Sequence, residues 1–201
     1  MRRHASHVSD SQTMVNQPTD TRPVYTIDVD DRLALVNPAA LSLFAPDGAG
    51  SVHSLLGRSV WDFIAGAQIR QLWQVLYSRV RAAGVPVFVP MRADTPSCRR
   101  LVDVELHPVA DRSIQHIHEC VWTEARPAIA LLDPAYPRDE RSLPSCAWCC
   151  RIQVRFGVWE EIEQAQQTLR IEAVETLPTL KPAVCVSCKQ SLLRAFPARV
   201  A

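Results

Sequence analysis

Two Cys-x-x-Cys pairs, Cys146-Ala-Trp-Cys149 and Cys185-Val-Ser-Cys188, constrain this chain more than any other feature. Thiolates spaced in this way can share one metal ion, and two pairs complete a tetrahedral set of four sulfurs. The 35 residues from 150 to 184 must then loop out and return. Arg151 to Phe156 alternates like a strand and Gly157 supplies a turn. Trp159 to Ala173 reads as a helix, with Trp159, Ile162, Gln166, Leu169 and Ala173 along one side. Pro178 and Pro182 force the chain out of helix before the second pair. The segment has few apolar residues, so metal binding is expected to supply much of its stability.

Seven cysteines in a chain expected to be cytoplasmic point to metal ligands or reduced thiols rather than a disulfide framework. That location rests on a polar opening, Met1 to Thr21, without the apolar run of a secretory leader, and on the lack of any membrane-length apolar stretch. Structural zinc at Cys146, Cys149, Cys185 and Cys188 is the favoured reading. A rubredoxin-type iron site uses similar spacing. A thioredoxin-like pair needs a strand before it and a helix after it, and that setting is missing. A switch in which the thiolates oxidise and eject the metal stays open, with Cys150 as a spare thiol.

The rest of the chain has its own organisation. Residues 1–21 read as a disordered arm. Val24 to Val29 and Leu33 to Val36 are strands around an Asp30-Asp31 turn. Asn37-Pro38 starts a helix, with Asn37 as N-cap. Pro46 to Ser51 is a loop. From Gln68 to Ala83, Ile69, Leu72, Trp73, Leu76, Val80 and Ala83 form one apolar stripe. Gln71, Gln74, Ser78 and Arg81 fill the opposite face. Gly84 sits where a left-handed cap belongs. Val85 to Arg92 alternates like a strand, yet holds Pro86 and Pro90. Prolines of one parity lack donors on one side only, so this is an edge strand. Leu101 to Val109 is a half-exposed strand. Ile114 to Trp122 is the last, with His116, His118, Cys120 and Trp122 on one face. Five antiparallel strands with helices on one face, an α+β arrangement, accommodate these elements. Residues 127–145 are a proline-rich linker, from which Ile129, Leu131 and Leu132 can dock back on a domain surface. Residues 146–190 are the cysteine module, and 191–201 a tail.

The run Ile27-Asp-Val-Asp-Asp-Arg-Leu, the following Asn37-Pro-Ala-Ala and Leu55-Leu-Gly-Arg-Ser-Val-Trp-Asp-Phe-Ile64 together resemble a PAS domain of bacterial sensory proteins, over residues 22–126. The resemblance implies a sheet in the order two-one-five-four-three. It also implies a small-ligand pocket between the sheet and its helices. No Asn-Cys-Arg-Phe-Leu run is present, which sets aside the photosensory flavin type. A haem type would need an axial histidine; His116 and His118 are the candidates, with His107 a third strand histidine. His116 and His118 could also share a metal, but no third ligand is evident. The C-terminal segment resembles a cysteine-knuckle tail appended to some bacterial sensor and response-regulator proteins, through Cys146, Cys149, Trp159, Ile162, Glu163, Cys185 and Cys188. It departs from that tail at Lys181-Pro-Ala-Val184 and at Cys150, where a lysine is usual.

No phosphate loop, kinase motif or hydrolase elbow is present, so no enzyme is expected. With a net charge of +1, neither nucleic acid nor membrane is an expected partner. The favoured function is a non-enzymatic signalling or sensor module. It binds a small ligand or a partner protein, as a homodimer or with another signalling chain. The alternatives are a haem- or thiol-based redox or gas sensor and a DNA-binding regulator.

Overall fold

The computed structural model describes residues 21–45, 50–171 and 175–194. The expected arm, apart from Thr21, lies outside these residues, as do Pro46–Ala49, Ala173 and 195–201.

β1 (Val24–Ile27) and β2 (Leu33–Val36) form an antiparallel hairpin. Asp28 shapes its turn: one carboxylate oxygen accepts from the N–H groups of Asp30 and Arg32, each at 2.9 Å. Asn37 caps the next turn and ties it to the sheet, because its Oδ1 accepts from Ala40 at 2.9 Å and from Val24 at 3.0 Å. A short 3-10 turn and two one-turn helices follow, α1 (Leu41–Phe44) and α2 (Val52–Leu55). The long helix α3 spans Ala67–Ala83 and ends at Gly84, whose φ of +66° satisfies the left-handed cap. Its stripe is buried as expected from Ile69 to Val80, with Tyr77 added; Ala83 is exposed. Arg81 is not on a solvated face. Its guanidinium donates to Asp28 O and Asp31 Oδ1 and its Nε to Arg112 O, stapling helix to turns.

β3 (Val87–Arg92), β4 (Cys98–Pro108) and β5 (Ile114–Ala125) complete a five-stranded antiparallel sheet in the order β2-β1-β5-β4-β3. This is the order the resemblance implied, and β3 is the edge the prolines required. The hydrogen bonds show the parity. Arg92 N–H points away from β4 and donates to Trp148 O at 2.8 Å. Pro90 has the same parity, so its missing donor faces the same outer side. A register shift at Leu101/Val102 pairs Val102 with Cys120 and Leu101 with Trp122. The expected alternation therefore holds through His118 but fails beyond it. Cys120 and Trp122 are exposed although they share the strand parity of the inward-facing histidines.

The range read as a linker ends in a strand. Residues 138–145 belong to β6 (Arg138–Cys146), inside a second sheet. It pairs antiparallel with β7 (Ile152–Arg155) at Ser145 and parallel with β9 (Leu177–Ala183); β8 (Val158–Glu160) flanks β7. Trp159 is thus in a strand, not in the predicted helix. Gly157 turns β7 into β8 at φ +76°. The helix is shorter, α4 (Ile162–Thr168), and it crosses over between the parallel strands. α5 (Val186–Arg194) closes the described chain, running past the expected module boundary at 190.

Two cores result. The first joins the inner face of the five-stranded sheet and α3 with Cys146, Trp148, Cys185 and Leu192. The second gathers Ile129, Leu131, Ile152, Ile162, Ala165 and Leu177. Ile129 and Leu131, expected to dock back, do so here, and they enlarge a core that residues 146–190 alone would leave thin. No helix among the described residues is long and apolar enough to cross a membrane.

Candidate metal centre

The four paired cysteines converge. β6 delivers Cys146 at its last position, and the chain turns at once, Cys150 N–H donating to Cys146 O at 2.9 Å. β9 delivers the second pair beside it; Ala147 N–H donates to Ala183 O at 2.9 Å. Parallel pairing of β6 with β9 therefore brings the knuckles together although 35 residues separate them. The ligand sulfurs of Cys146, Cys149, Cys185 and Cys188 lie within 4.8 Å of one another, and those of Cys149 and Cys185 are 3.8 Å apart. Four Zn–S bonds of about 2.3 Å define a tetrahedron with edges of about 3.8 Å, so the set fits one ion of that size. Backbone N–H groups support the sulfurs: Cys185 N–H donates to Cys146 Sγ and Cys188 N–H to Cys185 Sγ, each at 3.4 Å.

The thiols titrate as a group. Hydrogen bonds from Cys149 and Cys188 hold Cys146 well below the ordinary thiol value. Donating to that anion pushes Cys149 up to about 12 and raises Cys188 as well. One sulfur thus carries charge readily, and a cation is what allows the others to follow. Arg151 stands close enough to feel the charge of Cys149 and Cys185. Cys150 is not one of the four. It holds a φ of +58°, and burial pushes its thiol up to about 11. Cys98 and Cys120 lie on β4 and β5, outside the cluster.

An ion-pair chain that sequence reading missed joins this unit to the first sheet. The Asp94 side chain, 1% exposed, accepts from Arg92 at 2.8 and 2.5 Å and lies 3.2 Å from Arg126. Arg126 continues to Glu163 of α4 at 3.2 Å, and Arg99 meets the same carboxylate at 2.7 Å. Burial opposes ionisation of Asp94, yet Arg92, Arg100 N–H and Arg126 hold its carboxyl below the usual range. No sequence pattern announces such a chain, because its members come from β3, β4, α4 and the turns after β3 and β5, far apart in sequence.

The two histidines on β5 face the interior. His116 is 0% exposed, stacked on Tyr25 at 4.2 Å, with the edge of Tyr77 at 5.3 Å and Trp73 at 6.0 Å. Neither of its ring nitrogens finds a partner among the described residues, nor do His118 Nε2, Tyr77 OH and Trp148 Nε1. Burial, with His118 and Arg81 nearby, drives the His116 pKa well down, and burial alone brings His118 to about 4. Both are neutral at pH 7. His107 is instead paired with Glu105 at 2.7 Å. Trp148, inside the first knuckle, packs 5.7 Å from Trp73, so the cysteine loop forms part of the wall around this histidine cluster.

No known family model matches the sequence, and no curated protein matches it. Several solved structures are similar to part of this chain. The PAS domain of BvgS from Bordetella pertussis is 22% identical, with a TM-score of 0.41, over 51% of this chain and 78% of that one. A domain of an HTR-like protein from Haloarcula marismortui is 12% identical, with a TM-score of 0.38, over 51% of this chain and all of the other. A domain of a sensory box histidine kinase/response regulator from Geobacter sulfurreducens is 16% identical, with a TM-score of 0.36, over 49% and 82%. At these scores the neighbours say nothing of function.

Proposed function

We propose that this chain is a non-enzymatic sensor module in which a PAS-like domain takes a small ligand or a partner protein and a zinc ion at Cys146, Cys149, Cys185 and Cys188 fixes the C-terminal unit against it. One observation carries the reading. The metal-ligating loop and the buried histidine cluster share a core through Trp148, Trp73 and His116. A change around His116 therefore meets the wall that the metal holds in place. The unpartnered buried nitrogens of His116 and the Nε2 of His118 are costly unless something supplies hydrogen bonds, and a small polar ligand or bound water would do so. The signal would leave through another chain, either a second copy or a partner protein. Elemental analysis with an absorption spectrum tests the reading on the full chain, wild type beside Cys185→Ser. About one zinc per chain, absent from the variant and without visible absorbance, is the expected result. Iron, or a Soret band, would overturn it in favour of an iron or haem sensor.

A further inference from the structure

The four sulfurs are not equally placed. Cys146, at the end of β6, and Cys185, between β9 and α5, are buried, whereas Cys149 and Cys188 are half-buried. Those two, one from each knuckle, line a groove of about 340 Å³ between the edge strand β3 and α5. Its other walls are apolar in the main: Phe88, Pro90, Met91, Leu101, Trp148 and Leu192, with Arg92 and Ser191 at the margins. The two less buried cysteines thus share this groove with an apolar lining. Phe88, at the mouth, is 59% exposed.

We propose that Cys149 and Cys188 form an oxidation site for apolar organic hydroperoxides, which enter through this groove and whose reaction releases the metal. The inference rests on the zinc reading above. Thiolates, free or metal-bound, are the nucleophilic form of cysteine. The Cys149 thiolate attacks the outer peroxide oxygen, the O–O bond breaks, and the alkoxide takes a proton from water and leaves as the alcohol. Cys149 is then a sulfenic acid. The Cys188 thiolate attacks that sulfur, forming the S–S bond and expelling hydroxide, which a second proton converts to water. In sum, two thiolates, one hydroperoxide and two protons give a disulfide, an alcohol and water. The two thiolates are oxidised and the peroxide is reduced. The sulfurs already lie within 4.8 Å, so closure needs only a small approach. The metal keeps two ligands, Cys146 and Cys185, and is lost. The apolar walls select the oxidant, since they favour a hydroperoxide with a hydrocarbon body over hydrogen peroxide.

The test uses the full zinc-loaded chain with cumene hydroperoxide and, in parallel, hydrogen peroxide at equal concentration. A chromogenic chelator reports released zinc and peptide mapping locates the disulfide. Cumene hydroperoxide should release zinc about tenfold faster, the gain expected from withdrawing a small apolar substituent from water. The disulfide should join Cys149 to Cys188. Phe88→Glu, which charges the exposed mouth, should keep its zinc and lose the preference. Equal rates with the two peroxides, a Cys146–Cys185 disulfide, or Met91 sulfoxide with zinc retained would each overturn the proposal. A chain that takes up no zinc overturns the zinc reading and, with it, the release of metal; zinc taken up but released at equal rates by the two peroxides overturns the oxidation site alone.

Discussion

His116 shows what a single side chain can cost and signal. It sits among Tyr25, Trp73, Tyr77 and His118 with no hydrogen-bond partner for either nitrogen among the described residues. Its folded pKa lies below the unfolded value, so below about pH 6.5 the unfolded chain binds more protons than the native one. Stability is therefore full above that pH and falls as pH drops through it, by up to about 1.4 kcal/mol per pH unit for each such histidine. His116→Phe should lose less stability than wild type between pH 7.5 and 5.5 in urea titrations. The difference between the two proteins is the quantity to read, because it cancels any metal loss common to both. Parallel losses would show that His116 is not the titrating group. The alternation of β5 placed both histidines on one face, and that much was legible in the sequence. That the face is interior was not, because a strand reads the same whichever side the helices cover.

At the scale of elements, β3 is held by what its one proline, Pro90, leaves out. Pro90 removes an outward donor, and Arg92, two residues on, uses its own on Trp148. Pro90→Val should change stability by less than about 0.5 kcal/mol, since no ladder bond to β4 is gained or lost. It should also restore an open edge donor and promote association. Sedimentation over a range of concentrations would show this; a variant as monodisperse as wild type would argue that the knuckle alone protects the edge. Pro144 follows the same logic in β6. β7 pairs only at Ser145, so the side of β6 away from β9 is open where Pro144 lies. The ion chain through Asp94 links β3, β4 and α4 with the segment that follows β5. Asp94→Asn leaves Arg92 and Arg126 short of a buried partner and should cost about 3 kcal/mol in denaturant titrations. Removing the surface Arg141–Asp139 pair by Arg141→Ala should leave the stability nearly unchanged, because solvent screens the pair. Similar losses from the two variants would mean that Asp94 is better solvated than its burial implies.

For the whole molecule, the cysteine unit and the first sheet are not beads on a string. Cys146, Trp148, Cys185 and Leu192 belong to the same core as α3 and the inner sheet face. Removing the metal should therefore loosen more than the knuckles. A strong zinc chelator should lower the melting temperature by about 10 °C or more, the shift that a loss of about 3 kcal/mol gives a chain of this size. Trp73 and Trp148 should report the same transition as far-ultraviolet circular dichroism. Two separate transitions, with only the second sensitive to chelator, would show the units to be independent.

Local chemistry written along the chain determined much of this protein. The Cys-x-x-Cys pairs, the Asn37 cap, Gly84, the stripe of α3 and Pro90 in the edge strand each act over a few residues, so each could be read there. Tertiary structure alone decided the rest. Parallel pairing of β6 with β9 turned a supposed linker into a strand. It also set the knuckles against the edge of β3 and left Cys149 and Cys188 facing a groove while Cys146 and Cys185 were buried. These outcomes depend on contacts between residues far apart in sequence. Such contacts are fixed by which surfaces can be buried together, and no local pattern carries that information.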